Sequence, residues 1–182
     1  MKFEEDAVIV ENHLKEKGLV FEKETKGDKV TFGVNVQGIF GAEGARVSIE
    51  VENDFVSSCT TFSSVDENCL AETEKYLMKL NAKLKESMPS GFFAVDWNES
   101  KILCHLVYPA SALQTDASME CVRQLLYRPY SLYYTHRKAI AAVRTGAATA
   151  EETITMELVE FFTALYNSSN VGNAADGKEN EK

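Results

Sequence analysis

Residues 28–62 read DKVTFGVNVQGIFGAEGARVSIEVENDFVSSCTTF, and the alternation inside them decides the fold. Val30, Phe32, Val34 and Val36 alternate with Thr31, Gly33, Asn35 and Gln37, which predicts a strand with one apolar face. Val47, Ile49 and Val51 stand against Arg46, Ser48, Glu50 and Glu52 in the same way, so a second strand of this kind follows a glycine-rich link containing Gly38, Gly41 and Gly44. Asn53-Asp54 turns the chain, and residues 55–62, rich in Thr, Val and Phe, form the next strand. Upstream, Leu19 to Glu24 also alternates, and Lys26-Gly27-Asp28-Lys29 supplies a turn. Links this short join antiparallel neighbours, so the four strands form a meander.

Helical spacing brackets the meander. Phe3, Ala7, Val10 and Leu14 share one face of a helix over residues 4–17, which Gly18 ends. Downstream, Ser64 with Glu67 has the spacing of a capping box, and Leu70, Thr73, Leu77, Leu80 and Leu84 trace a stripe through residue 86. Pro89-Ser90-Gly91 breaks that helix, and residues 92–97 and 101–108 make a hairpin around Asn98-Glu99-Ser100. A third helix starts near Thr115 and carries Met119, Val122, Leu126, Tyr133, Ile140 and Val143, with Pro129 as an expected kink and Gly146 as its stop. Thr149 and Glu152 are a second capping box, ahead of a helix whose apolar side holds Met156, Val159, Phe161, Phe162, Leu165 and Tyr166. The expected fold is α+β: an antiparallel sheet flanked by helices in the order α-β-β-β-β-α-β-β-α-α. One domain spans 1–166, with a core over 1–146 and an added helix over about 150–166. The polar remainder, 167–182, reads as a disordered tail.

The stretch from Asp66 to Tyr108 resembles the YbjN-like family, whose fold is that of the type III secretion chaperones. Tyr76-Leu77-Met78-Lys79-Leu80-Asn81 at the end of the helix, Ser90-Gly91-Phe92-Phe93, the strand Ala94-Val95-Asp96 and its partner Ile102-Leu103-Cys104-His105-Leu106-Val107-Tyr108 carry the likeness. The secretion chaperones dimerise and bind extended protein segments, and YbjN-like proteins are associated with regulation. The resemblance thus implies a chaperone-like or regulatory homodimer. The helix after Thr149 and the acidic tail depart from the family pattern.

Composition narrows the partners. The 182 residues hold 28 acids against 19 Lys and Arg, a net charge of −9, which argues against a phosphate-facing surface and hence against nucleic acid. The acidic start contains no secretion signal and no apolar run is long enough to span a bilayer, so a cytoplasmic protein with no membrane partner is expected. Cys59, Cys69, Cys104 and Cys121 match neither a redox pair nor a zinc pattern, and Cys104 and Cys121 fall where a thiol acts as a small buried hydrophobe. His13, His105 and His136 lie in different elements, each with a surface or hydrogen-bonded core role expected of it. No phosphate loop, dinucleotide fingerprint or nucleophile elbow is present, so no catalytic residue, cofactor or metal is assigned. Asp66–Glu67 and Glu151–Glu152 read as helix-start acids, and Asp96 as outward-facing or bracing the turn after it.

One asymmetry stands out. Residues 121–150 hold Arg123, Arg128, Arg137, Lys138 and Arg144 and no acid, leaving −14 on the rest of the chain. Tyr127, Tyr130, Tyr133 and Tyr134 lie among them. Arg123, Tyr127, Arg128, Tyr130, Tyr134 and Arg137 are therefore candidate contacts for an acidic peptide or a second copy of the chain. Against this, the tyrosines pack on the sheet and the arginines pair with acids such as Glu50 and Glu52. The leading reading is a non-enzymatic protein-interaction, chaperone-like or regulatory module. The alternative is a small-molecule-binding domain or an enzyme whose cleft beside the third helix collects Tyr130, Tyr133 and His136.

Overall fold

A computed structural model describes residues 2–36, 44–160 and 163. The elements run α1 (Lys2–Glu16), β1 (Phe21–Lys26), β2 (Lys29–Val36), β3 (Ala45–Val51), β4 (Phe55–Ser64), α2 (Leu70–Leu84), β5 (Gly91–Asp96), β6 (Lys101–Pro109) and α3 (Ser118–Arg144). A further helix, α4, occupies 150–160. The glycine-rich link at 37–43, the aromatic end of the last helix and the tail at 167–182 lie outside the described residues. All six strands form one antiparallel sheet in the order β1-β2-β3-β4-β6-β5.

The alternation in residues 28–62 sets which side chains enter the core. Val30, Phe32, Val34 and Val36 of β2 and Val47, Ile49 and Val51 of β3 are all buried, and register pairs Phe32 with Ile49 and Val34 with Val47. β1 and β2 are joined through Gly27, whose φ of +60° is the left-handed conformation a two-residue hairpin turn demands. α1 lays Phe3, Ala7, Val10 and Leu14 on this face, and α2 adds Leu70, Thr73, Tyr76, Leu77, Leu80 and Leu84. β5 begins at Gly91, where a Cβ would stand 2.4 Å from Leu106 Cδ2 and 2.7 Å from the His105 carbonyl oxygen, so this close approach of strands requires glycine.

Two helix starts differ in kind. Thr149 is a true cap: its N–H and hydroxyl donate to Glu152 Oε2 at 2.8 Å, and its Oγ1 accepts the Glu152 N–H at 3.2 Å. The expected box at Ser64 and Glu67 does not form. Ser64 is the last residue of β4, and a 3-10 turn over Glu67–Cys69 without a side-chain cap leads into α2. The sequence spacing was right, but strand pairing with β6 claims Ser64. At the other end of the sheet a 3-10 turn, Ala110–Gln114, delays the start of α3 to Ser118.

α3 is continuous through Pro129, which is buried in it. Proline has no N–H to donate to the carbonyl four residues back, which belongs to Leu125. Ser58, an inward-facing residue of β4, donates its hydroxyl to that carbonyl at 2.9 Å and so ties helix to sheet. Asn81 of α2 performs the matching task at the β5 edge, where its Nδ2 donates to the Phe93 carbonyl at 2.8 Å and its Oδ1 accepts the Phe93 N–H at 2.7 Å. The side-chain amide replaces the peptide of a neighbouring strand.

Candidate functional site

The helices all lie on one face of the sheet. Their contacts run through inward positions: Ser58 to α3, Phe93 to α2, and Lys23 of β1 to Glu11 of α1 at 2.6 Å. The opposite face has no helix over it among the described residues. Register places Glu22, Gly33, Ser48, Cys59, His105 and Phe92 in one row across that face, with Thr61, Leu103 and Ala94 in the next row on one side and Ser57 and Val107 on the other. Phe92 is 48% exposed, Val107 41% and Phe55 39%.

At the centre, Cys59 Sγ and His105 Nε2 are 3.8 Å apart, and the His105 ring stacks on Phe92 with centroids 5.2 Å apart. Burial pushes the Cys59 thiol up, with Glu50 and Asp96 adding to the shift, and burial holds the His105 imidazolium down against the pull of Glu50. The pair is thus a neutral thiol beside a neutral ring, unlike an activated thiolate. Among the described residues no group of three His, Cys, Asp or Glu side chains is placed to hold a metal ion.

Charges border this centre in matched pairs. Lys26 meets Glu24 at 2.8 Å, Lys29 meets Glu50 at 3.2 Å, and Arg46 meets Glu22 at 3.1 Å. Asp96 stands opposite Lys101 in the β5–β6 ladder, while its Oδ1 accepts the Asn98 and Glu99 N–H groups and braces the turn.

The six residues singled out on α3 are each held by contacts within the chain. Arg123 is held by Glu120 of its own helix through bonds of 2.6 and 2.7 Å, which keep the Glu120 carboxyl down at about 2. Arg128 donates to the Ser87 carbonyl at 3.0 Å. Tyr127 packs against the core and Tyr130 is buried. Tyr130 and Tyr134 stack at 6.5 Å, and the Arg137 guanidinium lies 3.8 Å from the Tyr134 ring centroid. The expected pairing of these arginines with Glu50 and Glu52 is not found, because Glu50 lies on the far face of the sheet with Lys29.

Tyr133 and His136 of the alternative cleft are engaged by different elements. Tyr133 stacks on Phe62 of β4 with centroids 4.1 Å apart and donates to Ser63, while His136 meets Glu157 of α4 at 3.2 Å. Glu157 also accepts from Tyr76 at 2.9 Å and Lys83 at 2.8 Å. Burial raises the Glu157 pKa, yet the bonds from Lys83, Tyr76 and His136 together bring it below the ordinary range. This node ties α4 to α2 and α3, beside the core contacts of Ala150 and Ile154. Met156 and Val159, expected on the packed side, are each 59% exposed. The depressions flanking α4, about 540 and 450 Å³, are open to solvent.

Sequence reasoning missed the open face. Its signal was the run Ile102-Leu103-Cys104-His105-Leu106-Val107, nearly apolar at every position where the other strands alternate. No helix among the described residues is long and apolar enough to cross a membrane. No protein-family model matches the chain, and no curated protein matches it.

Proposed function

We propose that this protein is a non-enzymatic, YbjN-like interaction module, chaperone-like or regulatory, that meets a protein partner through the uncovered face of its sheet. The observation that carries the reading is the contiguous group Phe92, Leu103, His105 and Val107 on a face that no helix of the described chain packs against. Apolar side chains gathered in one exposed patch mark a contact surface more often than scattered ones do. The shallow, open depressions around α4 favour the same reading, since small-ligand sites are concave and largely enclosed.

The test is quantitative capture from native extract with the full chain and with Phe92→Glu. Under this reading specific proteins retained by the wild type drop away with the variant. Equal retention by both chains, with the variant folded by circular dichroism, rejects this face as the contact.

A further inference from the structure

α4 meets α2 largely through charge. Glu151 pairs with Lys75 at 3.2 Å, the Ala150 N–H donates to Glu72 Oε2 at 2.9 Å, and Glu157 takes donors from Tyr76 and Lys83 of α2 and His136 of α3. The apolar part of the contact is small, with Ala150 buried and Ile154 partly so. Met156, Leu158 and Val159 are instead 59, 46 and 59% exposed. A helix fixed permanently on a core buries its apolar side, because that packing supplies most of its stability. One held by ion pairs in contact with water gains little from them and lies at the low-stability end of a fold.

The surface that α4 covers has a chemistry of its own. Lys75, Lys79 and Lys83 recur at every fourth position of α2 and form one row, while residues 145–160 carry Glu151, Glu152, Glu157 and Glu160 and no base. At the end of the row the Tyr76 hydroxyl, Lys83 Nζ and His136 Nδ1 converge on the single Glu157 carboxylate, at 2.9, 2.8 and 3.2 Å. An ionised carboxylate only accepts, so His136 presents Nδ1–H to it. Three donors from two helices aimed at one point make a carboxylate site, of which Glu157 is the resident occupant. The open depression of about 450 Å³ alongside, bordered by Thr135 and Leu158, gives another carboxylate room to approach.

We propose that α4 is a displaceable occupant of this surface, and that the Lys75, Lys79 and Lys83 row, with Tyr76 and His136, receives an acidic helical segment of a protein partner in its place. The link on which α4 can swing is at hand: residues 145–149 are Thr, Gly, Ala, Ala and Thr, and Gly146 holds a φ of +70°. A partner helix with carboxylates spaced as Glu151 and Glu157 are repeats the contacts that α4 makes within the chain. α4 thereby lowers the apparent affinity for such a segment by the fraction of time it is docked. This surface lies on the helical side of the molecule, so the inference stands apart from the reading of the open sheet face.

The probe is a fluorescein-labelled peptide with the sequence of residues 147–160, titrated by anisotropy against the full chain, with the same peptide carrying Gln for its four Glu as a control. Glu157→Gln, folded by circular dichroism, should bind the acidic peptide at least about tenfold more tightly than the wild type. Adding Lys83→Met should abolish that gain, and the Gln peptide should bind neither chain. Hydrogen exchange on the wild type needs no variant: amides of 150–160 should exchange at least about tenfold faster than those in the middle of α3. Equal affinity of the wild type and Glu157→Gln for the acidic peptide overturns the proposal, as does equal binding of the Gln peptide or exchange of α4 no faster than that of α3. Phe92→Glu should leave peptide binding unchanged. A loss of binding in that variant would place the peptide on the open face and overturn the carboxylate site, while leaving the broader interaction reading in place.

Discussion

His13 is 2% exposed, and neither ring nitrogen has a hydrogen-bond partner, so the core holds a neutral imidazole without the bonds expected of a core histidine. Burial, and then the nearby Lys17, lower its pKa. A base whose folded pKa lies below its unfolded value binds protons on unfolding, so its contribution favours the fold above the ordinary imidazole range and is lost as pH falls below about 6.5. Replacing His13 by Leu should flatten the decline in denaturant-measured stability between about pH 7 and pH 5 and leave the protein at least as stable at neutral pH. His105 shifts in the same direction and supplies the decline that persists. Ser58 and Pro129 allow a sharper test. Ser58→Ala orphans the Leu125 carbonyl and should destabilise by about 1–3 kcal/mol. In Pro129→Ala the new N–H can reach that carbonyl, so the double variant should recover a measurable part of the Ser58→Ala loss in a double-mutant cycle. Additive effects would show that the two residues act independently. Neither relation was legible from the sequence, where Ser58 is one hydroxyl in a polar strand and Pro129 reads as a kink.

The elements themselves were largely legible. Strands came from alternation of two and helices from the three-four spacing of apolar residues, because one face of each packs against a single core. What misled was side-chain chemistry with two uses. Ser64 has the spacing of a cap and the position of a strand end, and Met156 and Val159 have the spacing of a packed face while α4 packs through Ala150 and Ile154 and is tied down by Glu157. Asn81 was quoted only as part of a helix end, whereas its amide closes the β5 edge. Asn81→Ala should cost about 1–3 kcal/mol by leaving the Phe93 N–H and carbonyl without partners. It should also raise the rate of aggregation on mild heating, followed by static light scattering, because an open strand edge is a template for pairing. A variant that loses stability but aggregates no faster would show that the edge is guarded elsewhere.

For the molecule as a whole, the order of alternating and helical stretches correctly suggested an α+β protein, and the charge sum hid how unevenly charge is placed. Alternation says that each strand has two sides but not where the helices go, so the open face and its Cys59–His105 centre emerge only from the packing. The neutral face in a chain of −9 makes an ionic prediction. Partner capture through this face should hold as salt rises from about 0.05 to about 0.5 M, because its charges are already matched in pairs while the apolar contact persists. Weakening by tenfold over that range, seen by sedimentation, would point to an ionic contact instead. The guarded edges of the sheet limit how it can grow. β1 presents Glu22, Lys23, Glu24 and Lys26 along one side, and Asn81 occupies the Phe93 groups on the other, which disfavours the addition of strands at either end. A filament grown strand by strand would require those edges to be reopened first.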